Sequence, residues 1–226
     1  MSLKARLILR VVVGMPVFAA ILFVPAGTLR FWQGWTLMGL MFTPMFIFVA
    51  YFYKHDPELL KRRLEMKEKV GAQRVIMAFM MPVAVVAYLL PGFDYRFGWS
   101  RKWLGPEPLW LTVSAEVLFL AALLTAYRVV VVNRYASRTI EVAAGQPVIS
   151  TGPYAVVRHP MYSAMLLSLL LAPLVLGSYV AVAAFALFIP IIVLRLLNEE
   201  KVLRQELPGY AEYCERTRYR LIPYLW

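Results

Sequence analysis

Six stretches of 17 to 24 mostly apolar residues follow one another along the chain: Leu7–Gly27, Trp35–Tyr53, Val75–Gly92, Leu109–Val132, Met161–Gly177 and Tyr179–Leu197. About 20 such residues in a helix cross the hydrocarbon of a bilayer, and an open strand is excluded there because lipid offers its backbone nothing to hydrogen-bond. The runs therefore predict an all-α fold, a polytopic membrane helical bundle of about six transmembrane helices. Composition points the same way: 61% of the 226 residues are hydrophobic and 16% charged, against about 45–50% and 25% in soluble domains. Lys4, Arg6 and Arg10 ahead of the first run resemble the start of a secretory signal, but no small-x-small cleavage site follows and Pro16 interrupts the run. The segment is read as a retained helix. Only Gly177 and Ser178 part the last two runs, which predicts a helix-turn-helix hairpin.

The net charge of +11 is the kind of excess that accompanies nucleic acid or an anionic membrane surface. Its placement decides between them. With six spans, both termini share a side with the loops Lys54–Arg74 and Asn133–Pro160. That side carries twenty Lys and Arg: three at the N-terminus, seven in the first loop, four around the second and six from Arg195 onward. The other side carries four, Arg30, Arg96, Arg101 and Lys102. The positive-inside rule then puts both termini in the cytoplasm, as in a multi-pass protein of a bacterial inner membrane. The lipid bilayer becomes the partner of the basic residues, and no nucleic acid is called for. Asp56 is placed to cap a helix near 56–70 whose Leu59, Leu60 and Leu64 face the membrane surface, with Lys61, Arg62, Arg63, Lys67 and Lys69 around them. Trp99, Trp103 and Trp110 sit where interfacial anchors belong. The lone Cys214 and the distant His55 and His159 make no metal set.

Polar residues concentrate after the fourth run. The stretch from Gly145 to Tyr162 places Gln146, Val148, Ile149, Tyr154, Arg158 and His159 ahead of Pro160, which favours an extended His159 and a helix starting just after it. The last run leaves the membrane through Arg195, Asn198, Glu199 and Glu200. Arg195 and Glu199 share a helix face, as do Glu200 and Arg204; ion pairs on the helix surface are the plain reading of both. Arg195 and Glu200 stand about 140° apart around a helix, so joint action needs a distorted helix or a ligand between them. Glu116, inside the fourth run, is costly in lipid; its distance from the other clusters favours a protonated or hydrogen-bonded packing role.

Val148-Ile-Ser-Thr-Gly152-Pro-Tyr154-x₃-Arg158-His-Pro-x-Tyr162, a two-helix hairpin, then Arg195-x₃-Glu199-Glu200-x₂-Leu203, Tyr210-x₂-Tyr213 and Ile222-Pro223 together resemble the isoprenylcysteine carboxyl methyltransferase family over about the last 90 residues. Two departures are visible: Ala164 replaces a glycine usual in the family, and the tail before Tyr210 is one residue shorter than in eukaryotic members. The resemblance implies one integral membrane domain over 1–226, with four spans through 132 and a catalytic core from 133. It implies S-adenosylmethionine as cofactor, in a cytoplasmic pocket formed by Gln146, Val148, Ile149, Tyr154, Arg158, His159, Tyr162 and Glu199. It also implies Arg195 as the group holding a carboxylate acceptor, with Glu200 positioning Arg195 or the cofactor. The acceptor implied is lipophilic or amphipathic. A phospholipid amine or small thiol is the alternative, in which case Glu200 or His159 serves as base. An NADPH-dependent membrane reductase, for which Arg216, Arg218 and Arg220 are the available phosphate binders, and a transporter or structural subunit are the remaining readings. Reporter fusions check the orientation: both ends should report cytoplasmic, and a periplasmic C-terminus would overturn the six-span topology.

Overall fold

The computed structural model describes residues 2–65, 71–135, 142 and 145–226. Among these the regular structure is helical: α1 (Leu3–Ala26), α2 (Trp32–His55), α3 (Pro57–Glu65), α4 (Gly71–Phe97), α5 (Trp99–Leu104), α6 (Leu109–Val132), a 3₁₀ turn (Gly152–Ala155), α7 (Pro160–Val175), α8 (Tyr179–Ala186), α9 (Phe188–Glu206) and α10 (Tyr210–Arg216). The Ser2 hydroxyl opens α1 by accepting the Ala5 N–H at 3.2 Å. α1 is the helix read over Leu7–Gly27, and it runs through both Pro16 and Pro25. Membrane helices tolerate such prolines where neighbouring groups satisfy the released carbonyls.

Among the described residues five helical stretches, rather than six, are long and apolar enough to cross a membrane: α1, α2, Val75–Phe97 of α4, α6, and Tyr179–Glu206 formed by α8 with α9. The expected fifth run is instead α7, with 16 residues, about 24 Å at 1.5 Å per residue against about 30 Å of hydrocarbon. Its first residue is Pro160, and Pro173 lies in its last turn. The following stretch is longer than expected, 28 residues, and breaks at Leu187 between α8 and α9. Pro190 explains the break, since it has no N–H to offer the Ala186 carbonyl. The hairpin at Gly177-Ser178 forms as read: Gly177 takes a left-handed φ of 66° and the Ser178 hydroxyl caps α8 by accepting the Ala181 N–H at 3.3 Å.

α6 packs chiefly on α7 and α1 chiefly on α4. Leu22, Leu37, Phe119, Leu176, Phe185, Ile192 and Leu196 form the shared core. The hairpin end is tied by Asp94, a buried carboxylate that accepts the Ser100 N–H at 2.8 Å, the Ser100 hydroxyl, and the Ser178 hydroxyl at 2.5 Å. Trp103 and Trp110 are largely exposed on this same side. At the other end Asp56 caps α3, its Oδ1 accepting the Leu59 N–H at 3.2 Å, and pairs with Arg134 at 3.4 Å. Leu59 and Leu60 bury themselves against Phe52 and Val130. Lys67 and Lys69 lie outside the described residues. Glu116 is half-buried and interacts with Glu107 near the hairpin end.

Gly92 sets the α1–α4 distance. A Cβ there would lie 2.6 Å from the Leu22 carbonyl oxygen, whereas one at Gly14 would meet nothing within 4 Å. Gly92→Ala should therefore cost about 1–3 kcal/mol by overpacking, read as a lower unfolding temperature in detergent. Gly14→Ala should show no loss; equal behaviour of the two would contradict this packing.

Candidate active site

The site is built around the start of α7. Pro160 starts α7, and His159 before it has φ −126° and ψ 62°, short of the extended backbone expected there; His159 and Arg158 precede the helix, so their N–H groups need acceptors outside it. The C-terminal tail supplies them: Arg158 N–H donates to the Tyr219 carbonyl at 2.8 Å and His159 N–H to the Arg220 carbonyl at 3.0 Å. One helical turn on, the Ser163 hydroxyl donates to the Leu221 carbonyl at 2.6 Å. The Trp226 carbonyl then accepts the N–H groups of Arg220, Leu221 and Ile222, which closes the tail on itself against α7.

Glu200 joins these pieces. Its Oε1 accepts from Arg158 Nη1 at 3.1 Å and lies 3.2 Å from His159 Nε2, while Oε2 accepts from Arg220 Nε at 3.0 Å. Glu200 is 4% exposed, with Arg158 and His159 at 7% and 5%. Arg220 also lies over the Trp226 ring, 5.2 Å from its centroid. The surface pairing expected between Glu200 and Arg204 is replaced by this network: Arg204 is exposed, and cations from two other segments, buried Arg158 and half-buried Arg220, claim the carboxylate. A second chain of contacts runs beside it. Arg195 Nε donates to the Tyr162 hydroxyl at 3.0 Å, and that hydroxyl donates to Glu199 Oε2 at 2.5 Å. Arg195 and Glu199, expected to pair on one helix face, thus also meet through Tyr162.

Both networks border a cavity of about 400 Å³, within the ordinary size range of small-molecule sites. Gln146, Val148, Ile149, Tyr154, Arg158, His159, Tyr162, Arg195 and Glu199 all line it, so nine of the ten residues singled out in the sequence come together. Glu200 is not among the described lining residues and stands behind Arg158 and His159. The wall also takes residues that the motif reading passed over: Arg63, Met77, Met80, Asn133, Tyr135, Met161 and Met165. The first three come from the N-terminal half, so the site is not confined to residues from 133 onward. Asn133, the residue ending α6, could have been noticed as a polar group at a membrane boundary; the methionines carry no sequence signal apart from core.

Tyr154 fixes the cavity's outer side. Its hydroxyl accepts from Asn133 Nδ2 at 3.0 Å and its carbonyl from the Tyr213 hydroxyl at 2.8 Å. Burial, only partly offset by that Asn133 hydrogen bond, pushes the Tyr154 phenol up to about 12. Burial likewise raises Tyr210 and Tyr213 far above their ordinary range, so all three act as neutral hydrogen-bonding walls. Leu207, Tyr210 and Tyr213 pack with Val148 and Leu203 to hold the 145–154 segment against α9 and α10. Among the described residues no group of three or more His, Cys, Asp or Glu is placed to hold a metal ion.

Residues 110–205, from the start of α6 almost to the end of α9, match the isoprenylcysteine carboxyl methyltransferase (ICMT) family. The chain is 28% identical over 155 residues to the cobalt-zinc-cadmium resistance protein CzcN of Cupriavidus metallidurans, covering 67% of this chain and 62% of that protein. It is also 28% identical over 101 residues to the uncharacterized protein YpbQ of Bacillus subtilis, covering 44% of this chain and 60% of that protein. Less than two thirds of either relative's length is therefore spanned.

Glu200→Ala should leave buried Arg158 and His159 and half-buried Arg220 facing one another and cost about 3–5 kcal/mol, the usual penalty for breaking a buried ion pair. Thermal unfolding measures it against Arg204→Ala, which should unfold like the unaltered protein. Matching unfolding temperatures for the two variants would show that Glu200 braces nothing.

Proposed function

We propose that this chain, which carries an ICMT-family domain within a multi-pass helical membrane protein, is an S-adenosylmethionine-dependent methyltransferase. In this reading it acts at the cytoplasmic membrane face on the carboxylate of a lipophilic or amphipathic acceptor. The observation that carries the reading is Arg195, held in the wall of the cavity by Tyr162 and Glu199 within the segment matching that family.

The residues present suit the cofactor. It has a cationic sulfonium, an amino-acid end with both charges, and an aromatic base. The cavity offers the Glu199 carboxylate to the cations, the Arg158 side chain to the carboxylate, and the rings of Tyr154, Tyr210 and Tyr213 to the base. Arg158 Nε is buried with no partner among the described residues, a donor whose desolvation a ligand acceptor would repay. Gln146, Val148, Ile149, His159 and Tyr162 complete the proposed binding set. When bound, the cofactor supplies an electrophilic methyl group.

The chain's own residues then have three tasks. Arg195 orients a carboxylate that is already ionised at neutral pH, so no base is needed. Tyr162 and Glu199 fix the Arg195 guanidinium, because an acceptor misplaced by about 1 Å can lose about a hundredfold in rate. Glu200, rather than reaching the reacting atoms, holds His159 and Arg158 in the cavity wall and the tail over it. The apolar side made by Met77, Met80, Met161 and Met165 receives the acceptor's hydrocarbon and keeps water out. If the acceptor is a thiol or amine, a proton has to leave, and Glu199 is the carboxylate placed in the cavity to accept it.

Transfer of label from S-adenosylmethionine to prenylcysteine analogues, lipid amines and thiols tests the reading, together with thermal stabilisation by the cofactor. Arg195→Ala should lower turnover about 10²–10³-fold, the usual loss for one electrostatic group at a reacting centre, with cofactor stabilisation retained. An active Arg195→Ala variant would remove that assignment, and stabilisation by NADPH alone would overturn the reading as a whole.

A further inference from the structure

A second cavity, of about 270 Å³, opens between α1, α2, α3, α6 and α7. Its wall is almost wholly apolar, with Phe48, Val49, Val130 and Met161 among the lining residues, and its charged groups are Arg10 and Arg63. No acidic side chain appears among the described residues that line it. Arg10 Nη2 donates to the Leu64 carbonyl at 3.0 Å, which sets the Arg10 guanidinium against α3, the helix that carries Arg63. The cavity therefore has an apolar floor between spanning helices and a cationic edge at the end of the bundle where α3 lies.

We propose that this cavity binds an anionic phospholipid of the surrounding bilayer, one acyl chain lying against Phe48, Val49 and Val130 and the head-group phosphate meeting Arg10 and Arg63. Charge complementarity selects this occupant. A basic pocket between spanning helices is a recognised form of head-group site, and a described lining that holds two arginines and no carboxylate favours an anionic lipid over a zwitterionic one. Water is a poor occupant of an apolar cavity because it lacks the two to four polar partners it needs. The inference does not rest on methyl transfer.

Its consequence reaches the larger cavity. Arg63 and Met161 line both cavities, and the charge of Arg63 acts on Tyr154 across the larger one. A phosphate drawing Arg63 to the bilayer side thus changes the field and shape at the candidate active site, coupling that site to the charge of the surrounding lipid.

Native mass spectrometry of the full-length protein, with phosphatidylglycerol and phosphatidylcholine of matched chains, tests the site. Phosphatidylglycerol should be retained preferentially. Arg10→Ala should lower that preference about fivefold, which corresponds to the ~1 kcal/mol that one arginine contributes near an anionic surface. Val49→Phe, which fills the floor and leaves both arginines, should expel the lipid. Arg62→Ala, on the exposed side of α3, should leave binding unchanged. Equal retention of the two lipids would overturn the proposal, and so would an Arg62→Ala loss as large as that of Arg10→Ala. One-for-one displacement by a prenylcysteine analogue would assign the cavity to the methyl acceptor's tail and overturn it as well.

Discussion

The Glu200 carboxylate holds together parts of the chain that share no other element. Arg158 and His159 reach it from the start of α7 and Arg220 from the tail, while Glu200 itself leaves α9. An isolated carboxylate taken out of water is costly, and so is each guanidinium; the arrangement holds because every charge finds an opposite one with good geometry. Around this point the backbone of 219–221 can pair with Arg158 and His159 ahead of Pro160, and α10 can lie beside the 145–154 segment. Glu199 is next in sequence but about 100° around the helix. One carboxylate therefore faces the cavity while its neighbour serves the scaffold behind it.

The shortness of α7 gives this network its room. A 16-residue helix leaves part of the bundle's depth to be filled by something else. The 3₁₀ turn, the residues before Pro160 and the tail fill it with backbone that is not α-helical. Such backbone is tolerated at membrane depth where it is buried in protein or lines a polar cavity, and here its N–H and carbonyl groups pair with one another across α7 and the tail. At the opposite end the hairpin demands less: Gly177 turns the chain and Asp94 gathers two serine hydroxyls.

Five of the six long apolar runs could be read directly, because burial in lipid imposes a length requirement that few other folds share. The error fell on Met161–Gly177, where apolar character continues to Gly177 but the helix ends at Val175. Hydropathy records what a residue contacts, and lipid and protein interior look alike to it. The grouping of Arg158, His159, Tyr162, Arg195 and Glu199 was legible for a different reason: polar residues at a membrane boundary are expensive and stand out. Which partners they take was not legible. Glu200 looked like the helix-surface neighbour of Arg204, and only the path of the tail decides that Arg220 arrives instead. Arg63, Met77 and Met80 left no trace, since one belongs to a basic run that orientation already explains and the others to ordinary core.

The same arginine count therefore serves two physical ends, and burial separates them. Arginines at the surface, such as Arg62 and Arg204, keep their hydration and bias the chain toward one orientation. Arg158 and Arg195 give up that hydration and are fixed by carboxylates or a phenol, so their positions are set to within a hydrogen bond. Arg63 stands between these cases, half-buried at the wall shared by two cavities. A cation in that position senses both what occupies the polar side and what occupies the apolar one. The residue that joins the amphipathic α3 to the interior is thus the natural place for the bilayer's charge to act on the site.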